Sequence, residues 1–190
     1  MKSVNLGFTA ALLVLLVSIA AQAAPSTVNS TPAATSASSY TAADADWASA
    51  LQSYEQAKAA HKDGALSEID LLTAQIASDE AHLQAALAHG DSDAISKSLG
   101  DISGARQEQA ILIEAQYQAG VVNQKAVLDA RKALIKAQVR EQLYQLETLE
   151  QQDVANTQHL YHVGVVSQSE LEKAQADLKK AQDAFDTAQP

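Results

Sequence analysis

The sequence predicts an all-α protein built from long antiparallel helical hairpins that pack as a coiled-coil bundle. Three observations support this fold class. A helix-turn-helix signal occurs three times in the 190-residue chain. From residue 42 to residue 189 the chain has no proline and is dominated by Ala, Gln, Leu, Glu, Asp and Lys, as in long helices. No alternating apolar run is long enough to indicate a strand.

The repeated signal is a glycine followed by two apolar residues and then Ser or Asn, with a ring-bearing side chain three positions before the glycine. An alanine follows each glycine at ten positions. Internal repeats of this kind constrain the fold of the whole chain. The three copies contain His61, Gly64, Ala65, Leu66 and Ser67; Tyr117, Gly120, Val121, Val122 and Asn123; and Tyr161, Gly164, Val165, Val166 and Ser167.

Each position of the signal has a mechanical role in a tight αα-hairpin. Glycine suits the left-handed residue that ends a helix, because it has no Cβ, and the apolar residue after it can fold back on the last turn. Ser67, Asn123 and Ser167 are good N-caps of a new helix. Glu170 completes a capping box with Ser167, and Asp70 gives Ser67 a weaker variant. The apolar residue before each cap has an apolar staple partner inside the new helix: Leu66 with Leu71, Val122 with Val127, and Val166 with Leu171.

Two segments precede the predicted helices. Lys2, an apolar run over residues 12–19 and the A-x-A site Ala21-Gln22-Ala23 predict a secretory signal peptide over residues 1–23. Residues 24–43 are rich in Ala, Ser, Thr and Pro, which predicts a flexible linker. The helical hairpin-repeat domain is predicted over residues 44–188.

Five helices are predicted in this domain, near residues 44–62, 67–88, 105–118, 124–162 and 168–188. Residues 89–104 contain three glycines and several Ser and Asp, so we expect a turn and a short irregular helix there. If it is straight, the fourth helix spans about 58 Å. Apolar residues from Leu171 to Phe185 alternate by three and four positions, a coiled-coil seam. Many seam positions are alanine and bury little area, so we expect self-association or docking to add stability.

Composition limits the chemistry and the partners. The absence of cysteine excludes disulfides, thiolate metal sites and lipid attachment through an N-terminal cysteine. The net charge of −10 argues against nucleic acid and anionic lipid surfaces as partners. After the signal peptide, no segment is expected to cross a membrane as a helix.

The sequence contains no constellation that predicts catalysis. There is no glycine-rich phosphate loop, no H-E-x-x-H and no G-x-S-x-G. His159 with His162, and His82 with His89, have helical spacings that could bind a metal, but no third ligand follows them, so we interpret them as exposed polar positions. We therefore predict no enzyme, no cofactor and no metal. Tyr117 and Tyr161 are predicted either to pack on their own hairpins or to dock a partner.

The repeats resemble the TolC family of outer-membrane efflux channels, whose tip motif reads approximately Y-x-x-G-x-x-S-x-x-D-x-L-x-A. The second copy matches at Tyr117, Gly120, Asn123, Leu128 and Ala130. The other two copies match at Gly64, Ser67, Asp70, Leu72 and Ala74, with His61 in place of Tyr, and at Tyr161, Gly164, Ser167 and Ala174. The resemblance covers roughly residues 44–188.

This resemblance implies a periplasmic protein, associated with the outer membrane, that docks through its hairpin tips. In the family the tips meet the coiled-coil hairpins of a membrane-fusion adaptor. The docking residues implied here are His61, Gly64, Leu66, Ser67, Tyr117, Gly120, Val121, Val122, Asn123, Tyr161, Gly164, Val165, Val166 and Ser167. No strands are predicted, so we do not expect this chain to form a pore by itself. Gly120 and Gly164 are 44 positions apart, so a straight helix between them would put their turns at opposite ends, unlike the family's arrangement.

Two alternatives to efflux-associated docking remain. A periplasmic helical chaperone or stress-response protein would have the same composition, although Leu72-Thr73-Ala74-Gln75 places Gln one position too early for the L-T-x-x-Q signature of one such family. An enzyme is disfavoured by the missing constellations.

Overall fold

The computed structural model describes residues 33–189, and every regular element in this range is an α-helix. The predicted signal peptide, residues 1–23, and the first part of the predicted linker lie outside the described residues. The five helices are α1 (Ala33–Lys62), α2 (Glu68–His89), α3 (Ser92–Gln118), α4 (Gln124–His162) and α5 (Gln168–Thr187). The all-α prediction is therefore confirmed for the described chain.

The helices run antiparallel, and each one packs against its neighbours in sequence. Among the described residues, the helix pairs with close backbone approach are α1 with α2, α2 with α3, α3 with α4 and α4 with α5. Phe185 of α5 adds a side-chain contact with the core cluster of α2 and α3. The direction is fixed by side-chain contacts at both ends of a pair. In the α3–α4 pair, for example, Glu114 and Arg131 approach to 2.6 Å near one end, and the Tyr144 hydroxyl donates to Ser92 near the other.

The helix α1 starts earlier than the sequence analysis expected. It begins at Ala33, so residues 33–43, which we assigned to the linker, are helical. This segment includes several alanines, and alanine has the highest intrinsic helix propensity.

Of the turn and short irregular helix predicted over residues 89–104, the turn is confirmed, whereas the irregular helix is wrong because α3 already begins at Ser92. Only Gly90 and Asp91 separate α2 from α3. Gly90 has φ of 67° and ends α2, and the Asp91 side chain caps α3 by accepting from the Ala94 amide. Gly100 and Gly104 lie inside α3, where their propensity cost of about 1 kcal/mol each is offset by burial of four apolar neighbours. Those neighbours are Ile95, Leu99, Ile102 and Ala105.

The apolar core lies between α2, α3, α4 and the end of α5. One cluster joins Leu83 and Ala86 of α2 with residues of α3 and with Phe185 of α5. A smaller cluster of Leu72, Ile76 and Ala105 lies nearer the start of α2. No described residue of α1 belongs to either cluster, so α1 is held at the edge by its contacts with α2.

The length of α4 determines where the turns lie. Its 39 residues are continuous, which corresponds to about 58 Å. Turns at the two ends of α4 therefore lie at opposite ends of the molecule, as the spacing of Gly120 and Gly164 predicted. Tyr144 of α4 contacts the start of α3. The part of α4 that follows Tyr144 extends past α3 and packs against α5.

Candidate docking site at the helix corners

The three predicted turns form the same backbone structure. We name them corner 1 (residues 63–67), corner 2 (residues 119–123) and corner 3 (residues 163–167). Gly64, Gly120 and Gly164 have φ of 72°, 72° and 77°, which confirms the predicted left-handed conformation. In each corner the amide after the glycine donates to a carbonyl five residues earlier, as Val121 does to Gln116 at 2.8 Å. This is the Schellman pattern that satisfies the last carbonyls of a helix.

The predicted N-caps are also confirmed. The side chains of Ser67, Asn123 and Ser167 accept from the backbone amide three positions later, at 3.2, 3.1 and 3.4 Å. The capping box is complete at corner 3, where Glu170 Oε2 accepts from the Ser167 amide at 2.7 Å. This bond to the Ser167 backbone is the main reason why the pKa of Glu170 is lowered. The residues before the caps, Leu66, Val122 and Val166, are half-buried, as the staple requires.

Corners 1 and 2 lie side by side at one end of the molecule, which we call the twin-corner end. Between them is a shallow cleft of about 300 Å³. One wall is the start of α2, including Ile69, and the other is the end of α3, including Leu112. The rim reaches Ala119 and Val121 of corner 2. The cleft thus combines apolar side chains with the polar cap of α2.

The apolar residues after the glycines do not fold back as expected. Val121 is 70% exposed and Val165 is 68% exposed, so their side chains are mostly in water, while their backbone amides donate to the preceding turn. Tyr117 and Tyr161 are 40% and 38% exposed, so each ring is partly packed and partly in water. These four residues give corners 2 and 3 an apolar surface that the turn geometry itself does not require.

The ring of His61 contacts both the turn of corner 1 and the start of α2. Its Nδ1 lies 3.0 Å from the carbonyl oxygen of Leu66, and its Nε2 lies 2.9 Å from Oε2 of Glu68. The predicted docking residue His61 therefore has both ring nitrogens engaged within its own hairpin. Its role at corner 1 differs from that of the tyrosines at corners 2 and 3.

Corner 3 is isolated from the other two. It joins α4 and α5 at the end opposite the twin-corner end. Among the described helices, only α4 and α5 contact each other near this corner. The ring of Tyr161 approaches the ring of His162, with centroids 6.1 Å apart. The candidate site predicted from the sequence is therefore divided between two ends of the molecule.

A polar contact between α1, α2 and α3 was not predicted. His82 is half-buried, which corrects the interpretation of this residue as an exposed position. Its ring stacks on Trp47, and its Nδ1 lies 2.9 Å from the Ser98 hydroxyl. Ser98 is only 1% exposed between helices, so the hydroxyl is inaccessible to a substrate. We interpret the pair as a packing contact rather than a nucleophile with its base.

A second groove begins at the C-terminal end of α5, next to residues 187–189. It has a volume of about 460 Å³ and lies between α3 and α4, with Glu80 of α2 at its edge. Arg106, Lys136 and Arg140 give it a basic lining, and burial lowers the pKa of Arg140. The Arg140 guanidinium also contacts the Gln189 side chain, where the described part of the chain ends. This groove was not predicted, because its lining comes from α2, α3 and α4, and the packing of these three helices is not visible in the local sequence pattern.

Within residues 33–189 no cluster of His, Asp and Glu has the arrangement of a metal site. Across the same residues, none of the helices is both long and apolar enough to cross a membrane.

The comparisons with known proteins give no relative. No family model matches the chain, and no curated protein or solved structure is significantly similar to it.

Proposed function

We propose that the protein is a non-enzymatic, TolC-like docking protein of the periplasm that binds the coiled-coil hairpin of an efflux adaptor or channel. Its docking surface is the twin-corner end. The observation that carries the proposal is the side-by-side position of corners 1 and 2, with a cleft between them and apolar side chains exposed at its rim.

The shape of the twin-corner end favours a helical partner. The cleft is shallow and bounded by two helix ends, so it is open to an apolar side chain from the tip of another hairpin. Tyr117 stands near the cleft at the end of α3 without lining it. It is a suitable anchor for a partner at this end, because tyrosine is enriched among residues that dominate binding energy at interfaces. Val121 adds apolar area that is covered only on binding.

The direct test is binding of the isolated α-hairpin of a membrane-fusion adaptor, measured by biolayer interferometry. We expect Tyr117→Ala to weaken binding by tenfold or more, the effect of a hot spot of about 2 kcal/mol. Leu51→Ala is the matched control, since Leu51 is 41% exposed on α1 and Tyr117 is 40% exposed. The melting temperatures of both variants show whether folding is intact.

The outcomes separate the alternatives. Equal binding by both variants and the parent protein would reject the twin-corner end as the docking surface. Failure to bind adaptor hairpins, together with suppression of aggregation of unfolded clients, would favour the chaperone. A Tyr117→Ala variant that no longer folds would show that this tyrosine has a packing role. Val121→Glu tests the rim of the cleft itself, and unchanged binding by this variant would reject the cleft as the docking site.

A further inference from the structure

One face of α4 has an apolar stripe that no described helix covers, although two of its residues, Ile135 and Val139, also stand at the edge of the basic groove. At 100° per residue, its six side chains fall within about 80° of the helix circumference. Ala137 and Tyr144, which pack against the core, lie about 180° away on the same helix. All six are among the exposed large apolar residues of the chain. We call this set the α4 stripe: Leu128, Ile135, Val139, Leu146, Leu149 and Leu160.

The spacing of the α4 stripe is that of a coiled-coil seam. From Leu128 to Leu149 the steps are seven, four, seven and three positions. This average of 3.5 residues per turn keeps a seam facing a partner helix along its length. The helix already packs on α3 and α5 with other faces, so the stripe is a second seam. From Leu128 to Leu160 it extends over about 48 Å.

The distribution of charge along α4 favours a second copy of the same helix as the partner of the stripe. Residues 124–140 contain five basic residues and one acidic residue, whereas residues 141–162 contain four acidic residues and no Lys or Arg. A second α4 in antiparallel orientation would therefore set the basic half of each copy against the acidic half of the other. Parallel pairing would set like charges together, which is unfavourable. The charged residues are Lys125, Asp129, Arg131, Lys132, Lys136 and Arg140, then Glu141, Glu147, Glu150 and Asp153. Arg140 is buried and does not face the second copy, so the charge pattern depends on the others.

We infer that the α4 stripe is a homodimer interface in which two copies of α4 pack antiparallel, with the twofold axis next to Gln142. This register places Val139 opposite Leu146 of the second copy and Ile135 opposite its Leu149. It also places Lys132 at the level of Asp153 of the second copy. The apolar seam and the charge pattern thus select the same alignment.

The dimer brings the separated corners together. In this register Gly164 of one copy lies at the level of Gly120 of the other. Each end of the dimer then carries corners 1 and 2 of one copy and corner 3 of the second. The exposed Val121 and Val165 meet at the same end, so the apolar corner residues form one surface per end.

The interface is tested first by the mass of the protein in analytical ultracentrifugation. We expect the parent protein to be a dimer, and Ile135→Glu with Leu149→Glu to halve the mass without loss of helical circular dichroism. Ile111→Glu is the matched control, because Ile111 on α3 and Leu149 are both 61% exposed. A monomeric parent protein, a dimer that persists in the double variant, or equal dissociation by Ile111→Glu would overturn the inference.

The orientation is tested by crosslinking, which is unambiguous because the chain has no cysteine. Gln142→Cys lies next to the twofold axis and should form a covalent dimer on oxidation. Leu128→Cys should not, because its two copies would be about 43 Å apart. Crosslinking through Leu128→Cys would show a parallel dimer and refute the antiparallel register. Docking at the twin-corner end is measured with Tyr117, outside the α4 stripe, so the two proposals can fail separately.

Discussion

Trp47 of α1 stacks on His82 of α2, with the ring centroids 4.3 Å apart and an angle of 27° between the ring planes. His82 in turn lies within hydrogen-bond distance of Ser98 on α3. The stack therefore connects the edge helix to the first helix pair of the core. It is a central attachment of α1, whose described residues all lie outside the core clusters.

Trp47→Ala should loosen α1 more than the rest of the protein. The variant loses an aromatic pair of about 1 kcal/mol together with the area that the indole buries. Because α1 packs only on α2 among the described helices, this loss should appear as local opening. Hydrogen exchange should accelerate over residues 44–62 and stay unchanged in α4 and α5. Uniform acceleration in all five helices would contradict the edge position of α1.

Gly164→Ala and Gly104→Ala should change stability in opposite directions. A Cβ would meet no atom within 4 Å at either position, so the difference is purely conformational. Gly164 has φ of 77°, where a side chain costs about 1 kcal/mol or more. Gly104 is helical, where alanine gains about 0.5–1 kcal/mol. Urea unfolding of both variants gives the comparison. A change of the same sign in both would show that the corner does not depend on a left-handed residue.

Gly164→Val should cost still more than Gly164→Ala, because a β-branched residue resists positive φ more strongly. The same order is expected at Gly120, whose φ is 72°. A melting temperature that is unchanged by Gly164→Val would reject this account of the corner.

Asp79→Asn should stabilise the protein near neutral pH. Burial and the nearby Asp101 carboxylate raise the pKa of Asp79 above its ordinary value of 3.8. Its buried Oδ2 has no hydrogen-bond partner among the described residues. Because the folded state holds the proton more tightly, the stability from protonated Asp79 is complete below pH 3.8 and is lost as the pH rises through the raised folded pKa.

The amide should therefore be more stable than the carboxylate near neutral pH, because it removes a partly buried negative charge close to Asp101. The gain should shrink toward about pH 3, where the aspartic acid of the parent protein is itself protonated. Denaturant unfolding at both pH values measures this. An equal gain at the two pH values would exclude charge as the cause.

Leu83→Ala should be among the most destabilising single changes. Leu83 is completely buried in the main core cluster, and removal of its side chain leaves a cavity that costs about 2–5 kcal/mol. Leu51→Ala, at an exposed position of α1, should cost less than about 1 kcal/mol. Comparable losses in the two variants would show that the core is not where the structure locates it.

The corners were predictable because their physics is local. The left-handed glycine, the cap and the staple act within a few residues, and the glycines and caps of all three predicted corners have the expected geometry. The segment around Gly100 and Gly104 was not predictable from glycine content, because burial of Leu99 and Ile102 by other helices overrides the local preference. Such burial depends on residues distant in sequence.

The arrangement of the candidate site depends on the same mispredicted segment. Corners 1 and 2 meet because α2 and α3 run back and forth with only Gly90 and Asp91 between them. A helix beginning near residue 105 would not have indicated this pairing. The exposure of Val121 was also missed, since the turn pattern is compatible with either a packed or an exposed side chain at that position.

Packing between sequence neighbours has a kinetic consequence. The connections between helices are two to five residues long, so each hairpin closes a short loop and loses little chain entropy. Contacts that are local in sequence favour fast folding. Each hairpin can form as soon as its second helix is available, without waiting for the rest of the chain. The hairpins are not independent, however, because the core of α2 and α3 is completed only when Phe185, near the end of α5, packs into it.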